Sequence, residues 1–188
     1  TIIPCLVVGI FLLLRGVNFF KAFLLLSAWA ILSLILPFCW YVAAYQQGGE
    51  EFLALVMEEN FGRMTNTMSY NSCVNPWHYN FVTLFAGYVP WTLLVVLSLF
   101  SLTYHKFSIQ PAAWWKRFTT WIKNMDPVDL FSFTSIVVIF VFYCIPQSKR
   151  SVYLMPIYPF IAYFLAKYLF YLVKKQSKVI KVYGSILA

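Results

Sequence analysis

Residues 22–45, AFLLLSAWAILSLILPFCWYVAAY, contain no charged side chain. A helix needs about 20 apolar residues to cross a hydrocarbon core about 30 Å thick, so this stretch is long enough to span a bilayer. Inside such a core every backbone amide must be bonded within the protein, which makes the α-helix the conformation of the run. The same reading extends outward along the chain. Apolar runs at 81–104, 130–145 and 152–173 are further span candidates, Ile2 to Leu14 is a partial one, and another run begins near Val179. The 130–145 run is short, so it either thins the bilayer locally or extends back to Pro127. The expected fold is all-α: a polytopic transmembrane helix bundle with four complete spans and partial spans at both ends, one membrane region over residues 1–188.

Composition agrees with that class. Hydrophobic residues make up 62% of the chain, aromatics 21% and charged residues only 11%, too little polar surface for a soluble domain of this size. The formal charge of +8 does not mark a nucleic-acid partner, because the cations fall mostly between apolar runs. There they act as topology signals and contacts for anionic membrane lipid. Thr1 opens directly into an apolar run and Arg15 follows that run instead of preceding it, which is the wrong order for a signal peptide. The expectation is an internal segment of a longer protein. Cys5, Cys39, Cys73 and Cys144 show no close pairing, so neither a zinc site nor a disulfide framework is indicated. Cys73 and Cys144 alone fall where an oxidising compartment would permit a bridge.

Basic residues in the connections give the orientation. Arg15 and Lys21 place the first connection in the cytoplasm, so 46–80 lies outside, 105–129 inside, 146–151 outside and 174–181 inside. Lys106, Lys116, Arg117 and Lys123 occupy the first of the later inner segments, and Lys174, Lys175, Lys178 and Lys181 the second. The long outer loop carries Arg63 against Glu50, Glu51, Glu58 and Glu59. Within it, Phe52, Leu55 and Val56 recur at helical spacing among carboxylates, which predicts an amphipathic helix over 50–61 lying on the membrane surface. Residues 62–76, rich in Asn, Ser and Thr, read as a mobile loop.

The short outer loop breaks the charge rule. It holds Lys149 and Arg150 in Ser148-Lys149-Arg150-Ser151-Val152-Tyr153-Leu154-Met155-Pro156-Ile157-Tyr158-Pro159. Two cations at headgroup level can hold a phosphate through charge-assisted hydrogen bonds, or they can simply snorkel to lipid headgroups. Pro156 and Pro159 each remove a backbone donor, so the segment should line a cavity or a protein interface. A second group is Glu59-Asn60-Phe61-Gly62-Arg63 with Asn75-Pro76-Trp77-His78-Tyr79 and Val89-Pro90-Trp91. Arg63 suits a sugar-linked phosphate or a carboxylate. Trp77 and Tyr79 suit the face of a sugar or a prenyl chain, and equally an interfacial aromatic belt. His78 and Cys73 do not complete a metal site. No acidic residue falls inside the apolar runs, and Lys167 is close enough to the inner surface to snorkel.

These two groups resemble motifs of the membrane glycosyltransferases that include bacterial aminoarabinose transferase and, more distantly, the protein mannosyltransferases. That family carries Glu-His-x-x-Arg-Phe, then Pro-Phe-Trp-Tyr-Tyr, then Leu-Pro-Trp. Glu59, Arg63, Pro76, Tyr79, Pro90 and Trp91 match those positions. Its later motif, Ser-Lys-Leu-Pro-x-Tyr-Leu-Leu-Pro-x-Tyr-Pro, is matched by Ser148, Lys149, Tyr153, Leu154, Pro156, Tyr158 and Pro159. Asn60 stands where the family has His, His78 replaces a Trp, and Arg150 with Ser151 replaces Leu-Pro.

The resemblance implies an enzyme of the bacterial inner membrane with its site facing the periplasm. It would move a sugar from a polyprenyl-phosphate donor to a lipid A-like glycolipid, glycan or protein. Lys149, Arg150 and Arg63 would bind the lipid phosphate, and Tyr153, Trp77, His78, Tyr79, Glu59 and Asn60 would shape the substrate pocket. The catalytic residue, an Asp, is implied in an outer loop upstream of Thr1, so none is assigned within this stretch. No metal ligand is assigned either, and the family's divalent metal is tied to the His that Asn60 replaces. The competing reading is a non-catalytic membrane protein, a transporter or scaffold, in which the outer cations anchor lipid.

Overall fold

A computed structural model describes residues 2–62, 65, 75–101, 111–146 and 148–187, and among these the structure is helical throughout. The elements in chain order are α1 (Ile2–Leu14), α2 (Phe19–Met57) continuing into a π-helical turn (Glu58–Gly62), α3 (Tyr79–Gly87), α4 (Trp91–Ser101), α5 (Pro111–Lys123), α6 (Pro127–Cys144), a 3-10 helix (Ser151–Ile157), α7 (Tyr158–Lys174) and α8 (Lys178–Leu187). By length and composition three stretches can cross a membrane: Phe19–Gly62, Pro127–Cys144 and Ser151–Lys174. A fourth is added if α3 and α4 together make one span.

Two of the expected spans differ in shape from the sequence reading. The 81–104 run is not one rod: α3 and α4 meet at an angle of 105°. Pro90 sits at the bend, where it lacks an amide hydrogen and its ring would clash with a preceding carbonyl in a continuous helix. The Tyr88 hydroxyl reaches across to the Tyr158 carbonyl at 2.5 Å, tying the bend to the start of α7. Gly87 makes this approach feasible, since a Cβ there would run into the Tyr158 hydroxyl.

The second difference is at the end of the 22–45 run. Helix α2 passes Tyr45 and turns at Gly49, whose φ of 56° and ψ of −143° suit glycine alone. In a straight helix Trp40 and Phe52 would be about 18 Å apart, at 1.5 Å per residue. Their ring centroids are instead 6.1 Å apart, and Phe52 lies equally close to Tyr41, so the chain turns sharply there. Gly48 permits the turn because a Cβ at that position would come within 2.8 Å of the Phe52 Cβ.

Helices α1 and α7 each pack antiparallel to α6 and form the bundle centre. Val7, Ile139, Leu154 and Ile157 are buried together, and Phe11 meets Phe131 edge-on at 5.5 Å. A second cluster joins α4, α7 and α8 through Leu94, Leu172, Val179 and Tyr183. In lipid these contacts gain little from apolar transfer, so close packing and hydrogen bonds hold the helices together. Helix α2 stands outside both clusters. Ala22 is its one buried residue, and Leu36 is 83% exposed, a surface suited to acyl chains and far too apolar for water.

The direction of each helix sorts the polar residues into two ends. Ile2, the π-helical turn, Asn80, the last turn of α6 and the Lys149 loop lie at one end. Phe11, Phe131, Asp129 and Lys167 lie at the other, with Arg15 and Lys174 just beyond. These are called the Lys149 end and the Lys167 end below.

Candidate functional site

At the Lys149 end the chain leaves α6 and must enter α7 without exposing polar backbone. Asn80, 2% exposed, solves part of this: its side-chain amide donates to the Tyr143 carbonyl at 2.9 Å and contacts the Cys144 sulfur at 3.5 Å. The orphan carbonyls that end a helix are thereby partly satisfied. Pro156 and Pro159 then keep the re-entry tight, as a 3-10 helix over Ser151–Ile157 followed by α7 with Pro159 in its first turn. Tyr153 projects back and stacks on Tyr143, centroids 5.2 Å apart and planes 18° from parallel.

Between these parts lies a cleft of about 520 Å³. One wall is Glu59, Asn60 and Phe61 of the π-helical turn; the other is Tyr143, Ser148 and Tyr153. Insertions of π geometry are frequent at functional sites, since they turn side chains out of the regular helical order. Asn60 is held by its own side-chain amide, which donates to the Val56 carbonyl at 2.7 Å. Ser148 is 2% exposed, and its hydroxyl, at the cleft wall, has no hydrogen-bond partner among the described residues.

Lys149 is 6% exposed and lies beside the cleft rather than in its lining. Its ammonium donates to the Asn75 carbonyl at 3.3 Å, and the Asn75 side chain returns a hydrogen bond to the Lys149 carbonyl at 2.9 Å. Among the described residues no carboxylate pairs with it. Arg150 is exposed, on extended backbone, and precedes the 3-10 helix without a side-chain capping bond. Trp77 is exposed and edges onto His78 and Phe81 at 5.8 and 6.1 Å. His78 precedes α3 without capping it, and Tyr79 is half-buried in its first turn.

The structure therefore brings Glu59, Asn60 and Tyr153 around one cleft, sets Lys149 next to it, and leaves Trp77, His78 and Tyr79 out of its lining. Arg63, Cys73 and most of the loop read as mobile lie outside the described residues, as do His105 and Lys106. Cys144 carries a free thiol, as do Cys5 and Cys39. Ser148, Tyr143, Asn75 and Asn80 belong to this region although sequence reasoning gave them no role. Ser148 and Asn75 were within quoted motifs; Asn80, one polar residue at the mouth of an apolar run, was the missed signal.

At the Lys167 end the structure gives Lys167 a partner that the sequence reading did not name. Helix α6 begins at Pro127, which brings Asp129 into its first turn. The Lys167 ammonium donates to both Asp129 oxygens at 2.6 Å, and the Tyr163 hydroxyl donates to one of them at 2.7 Å. The segment 105–129, read only as a loop, also contains helix α5.

Neither a family model, nor a curated protein, nor a solved structure matches the chain.

Proposed function

We propose that the chain belongs to an integral-membrane glycosyltransferase that takes a sugar from a polyprenyl-phosphate donor at the Lys149 end. The supporting observation is a buried ammonium that has no carboxylate partner among the described residues, next to a buried hydroxyl on a cleft wall that likewise has no partner among them. A buried cation is costly unless an anion or several hydrogen bonds compensate it. One neutral carbonyl at 3.3 Å is weak compensation, so the place suits an anionic group arriving from outside. That the Glu59–Phe61 segment and the Lys149 loop, the two carriers of the family resemblance, border one cleft adds to the reading.

In this proposal the donor's phosphate is bound by Lys149, with Arg150 and Arg63 assisting, and the Ser148 hydroxyl donates to a donor oxygen. As the bond from sugar carbon to phosphate oxygen breaks, negative charge grows on the leaving phosphate, and the ammonium stabilises it most in the transition state. Glu59, Asn60 and Tyr153 contact the sugar. The cleft wall of Phe61, Phe142 and Ile145 gives the reaction an apolar flank that limits access of water. The bent α3–α4 pair counts as a span, making four, and the Lys149 end faces the periplasm of a bacterial inner membrane. The helix after Gly49 lies in the membrane surface there.

The test is release of labelled sugar from a polyprenyl-phosphate donor by the full-length protein. Lys149→Met should lower turnover by about 10²–10³, the effect of removing one charge-stabilising donor from a developing oxyanion. Unchanged turnover would remove Lys149 from the chemistry.

One observation favours the rival reading of an ion-coupled transporter, namely Asp129, a carboxylate within a span. Its oxygens are already taken by Lys167 and Tyr163. Vesicle uptake driven by an ion gradient and abolished by Asp129→Asn would favour transport over transfer.

A further inference from the structure

Trp121 of helix α5 meets Phe133 of α6, and much of the surface of α5 is exposed. At about 100° per residue, Trp115, Phe118, Trp121 and Ile122 share one face of α5, Lys116, Thr119, Thr120 and Lys123 the other, and Arg117 lies at the flank. The aromatic face is a ladder. Trp115 lies 6.0 Å from Phe118, Phe118 lies 6.1 Å from Trp121, and Trp121 meets Phe133 of α6 edge-on at 5.7 Å. Yet Trp115 and Trp121 remain 61% and 50% exposed, while Lys116, Arg117 and Lys123 are open to their surroundings.

We propose that α5 is a membrane-surface anchor, lying in the plane of the leaflet at the Lys167 end and binding anionic phospholipid. Three observations favour lipid over a protein partner. The link from Lys123 to Pro127 is short, so α5 is tethered at the level where span α6 begins. Indoles with one apolar and one polar edge suit the headgroup boundary, where both edges are satisfied. Charge supplies the selectivity: Arg15, Lys21, Lys174, Lys175 and Lys178 flank the same end, and of the two acids there Asp129 is already paired with Lys167. A cationic belt around an aromatic stripe complements anionic headgroups. This inference needs membrane insertion alone, so it stands or falls independently of sugar transfer.

The experiment uses full-length protein with its native cysteines replaced by alanine, reconstituted in bilayers. A nitroxide is attached in turn through Trp115→Cys, Lys116→Cys and onward to Lys123→Cys. Oxygen, which partitions into lipid, should relax the label most at positions 115, 118 and 122. A water-soluble nickel complex should act most at 116, 120 and 123, and replacing a phosphatidylglycerol mixture by pure phosphatidylcholine should reduce this contrast at least twofold. Three results would overturn the proposal: nickel access at every position, protection from both reagents as in contact with a second copy or another protein, or equal contrast in the two bilayers. A cysteine-independent check is phosphatidylglycerol retention in native mass spectrometry. The triple variant Lys116→Gln, Arg117→Gln, Lys123→Gln should bind it more weakly by on the order of a hundredfold, roughly fivefold per cation lost; wild-type retention in that variant would refute charge-based binding.

Discussion

Lys149 and Lys167 occupy opposite ends of one helix bundle and are held in opposite ways. Lys167 is about half exposed, yet it is matched by both oxygens of Asp129, with Tyr163 adding a further hydrogen bond. Lys149 is buried, yet its described contact is a single backbone carbonyl. A chain under pressure only for stability would do the reverse, pairing the buried charge and leaving the exposed one to solvent. The difference teaches that compensation at the Lys167 end is internal, whereas at the Lys149 end no carboxylate among the described residues supplies it, and the proposed donor phosphate would.

The largest expected effect separates the two lysines directly. Lys149→Met should cost about 10²–10³ in sugar release, while Lys167→Met should leave turnover within a few-fold of wild type. Equal losses in the two variants would erase the contrast. Next comes Gly87→Val, which forces a side chain into the space of the Tyr158 hydroxyl. Overpacking of this kind costs about 1–3 kcal/mol, read as a lower melting temperature in detergent, and it should loosen the α3–α4 bend against α7. A smaller effect is expected for Asn80→Leu, which keeps the volume but strips the donor from the Tyr143 carbonyl. The loss should be about 1–3 kcal/mol, the cost of a buried acceptor left unmade, toward the lower end because only one of the helix-end carbonyls is affected. Smallest is Asp129→Asn, which should lower thermal stability modestly, with Asp129→Asn, Lys167→Met together recovering part of the loss. An additive double variant would show that the ion pair is not coupled.

Much of the bundle was legible because apolar runs are one-dimensional signals. The partial span Ile2 to Leu14 coincides with α1, and of the two alternatives for the short 130–145 run the helix shows the extension to Pro127. Other features were written in the sequence as punctuation rather than as runs. Gly48-Gly49 marked the kink in α2, and Val89-Pro90 marked the bend between α3 and α4. Helix α5 escaped because its Trp, Lys and Thr content hides an amphipathic period from any search for continuous apolarity. The Asp129–Lys167 pair was invisible for a different reason: its partners are 38 residues apart and meet only when α6 and α7 pack.

The candidate site divides in the same way. Lys149 and Tyr153 stood out by charge and motif, and Glu59 by resemblance. That Glu59 and Tyr153 border one cleft is tertiary information, created by the kink at Gly49 and by the 3-10 re-entry after Arg150. That the Ser148 hydroxyl has no partner among the described residues could not be read at all from a sequence, since burial decides whether a serine is satisfied.

The most direct measurement is the affinity of full-length protein in lipid nanodiscs for polyprenyl phosphate, comparing wild type with Lys149→Met and with Lys167→Met. If Lys149 grips the phosphate, its replacement weakens binding by about 10- to 150-fold, as for loss of a hydrogen bond to a charged group, and the Lys167 variant binds like wild type. Equal affinity in wild type and Lys149→Met would contradict the assignment of the Lys149 end as the donor site.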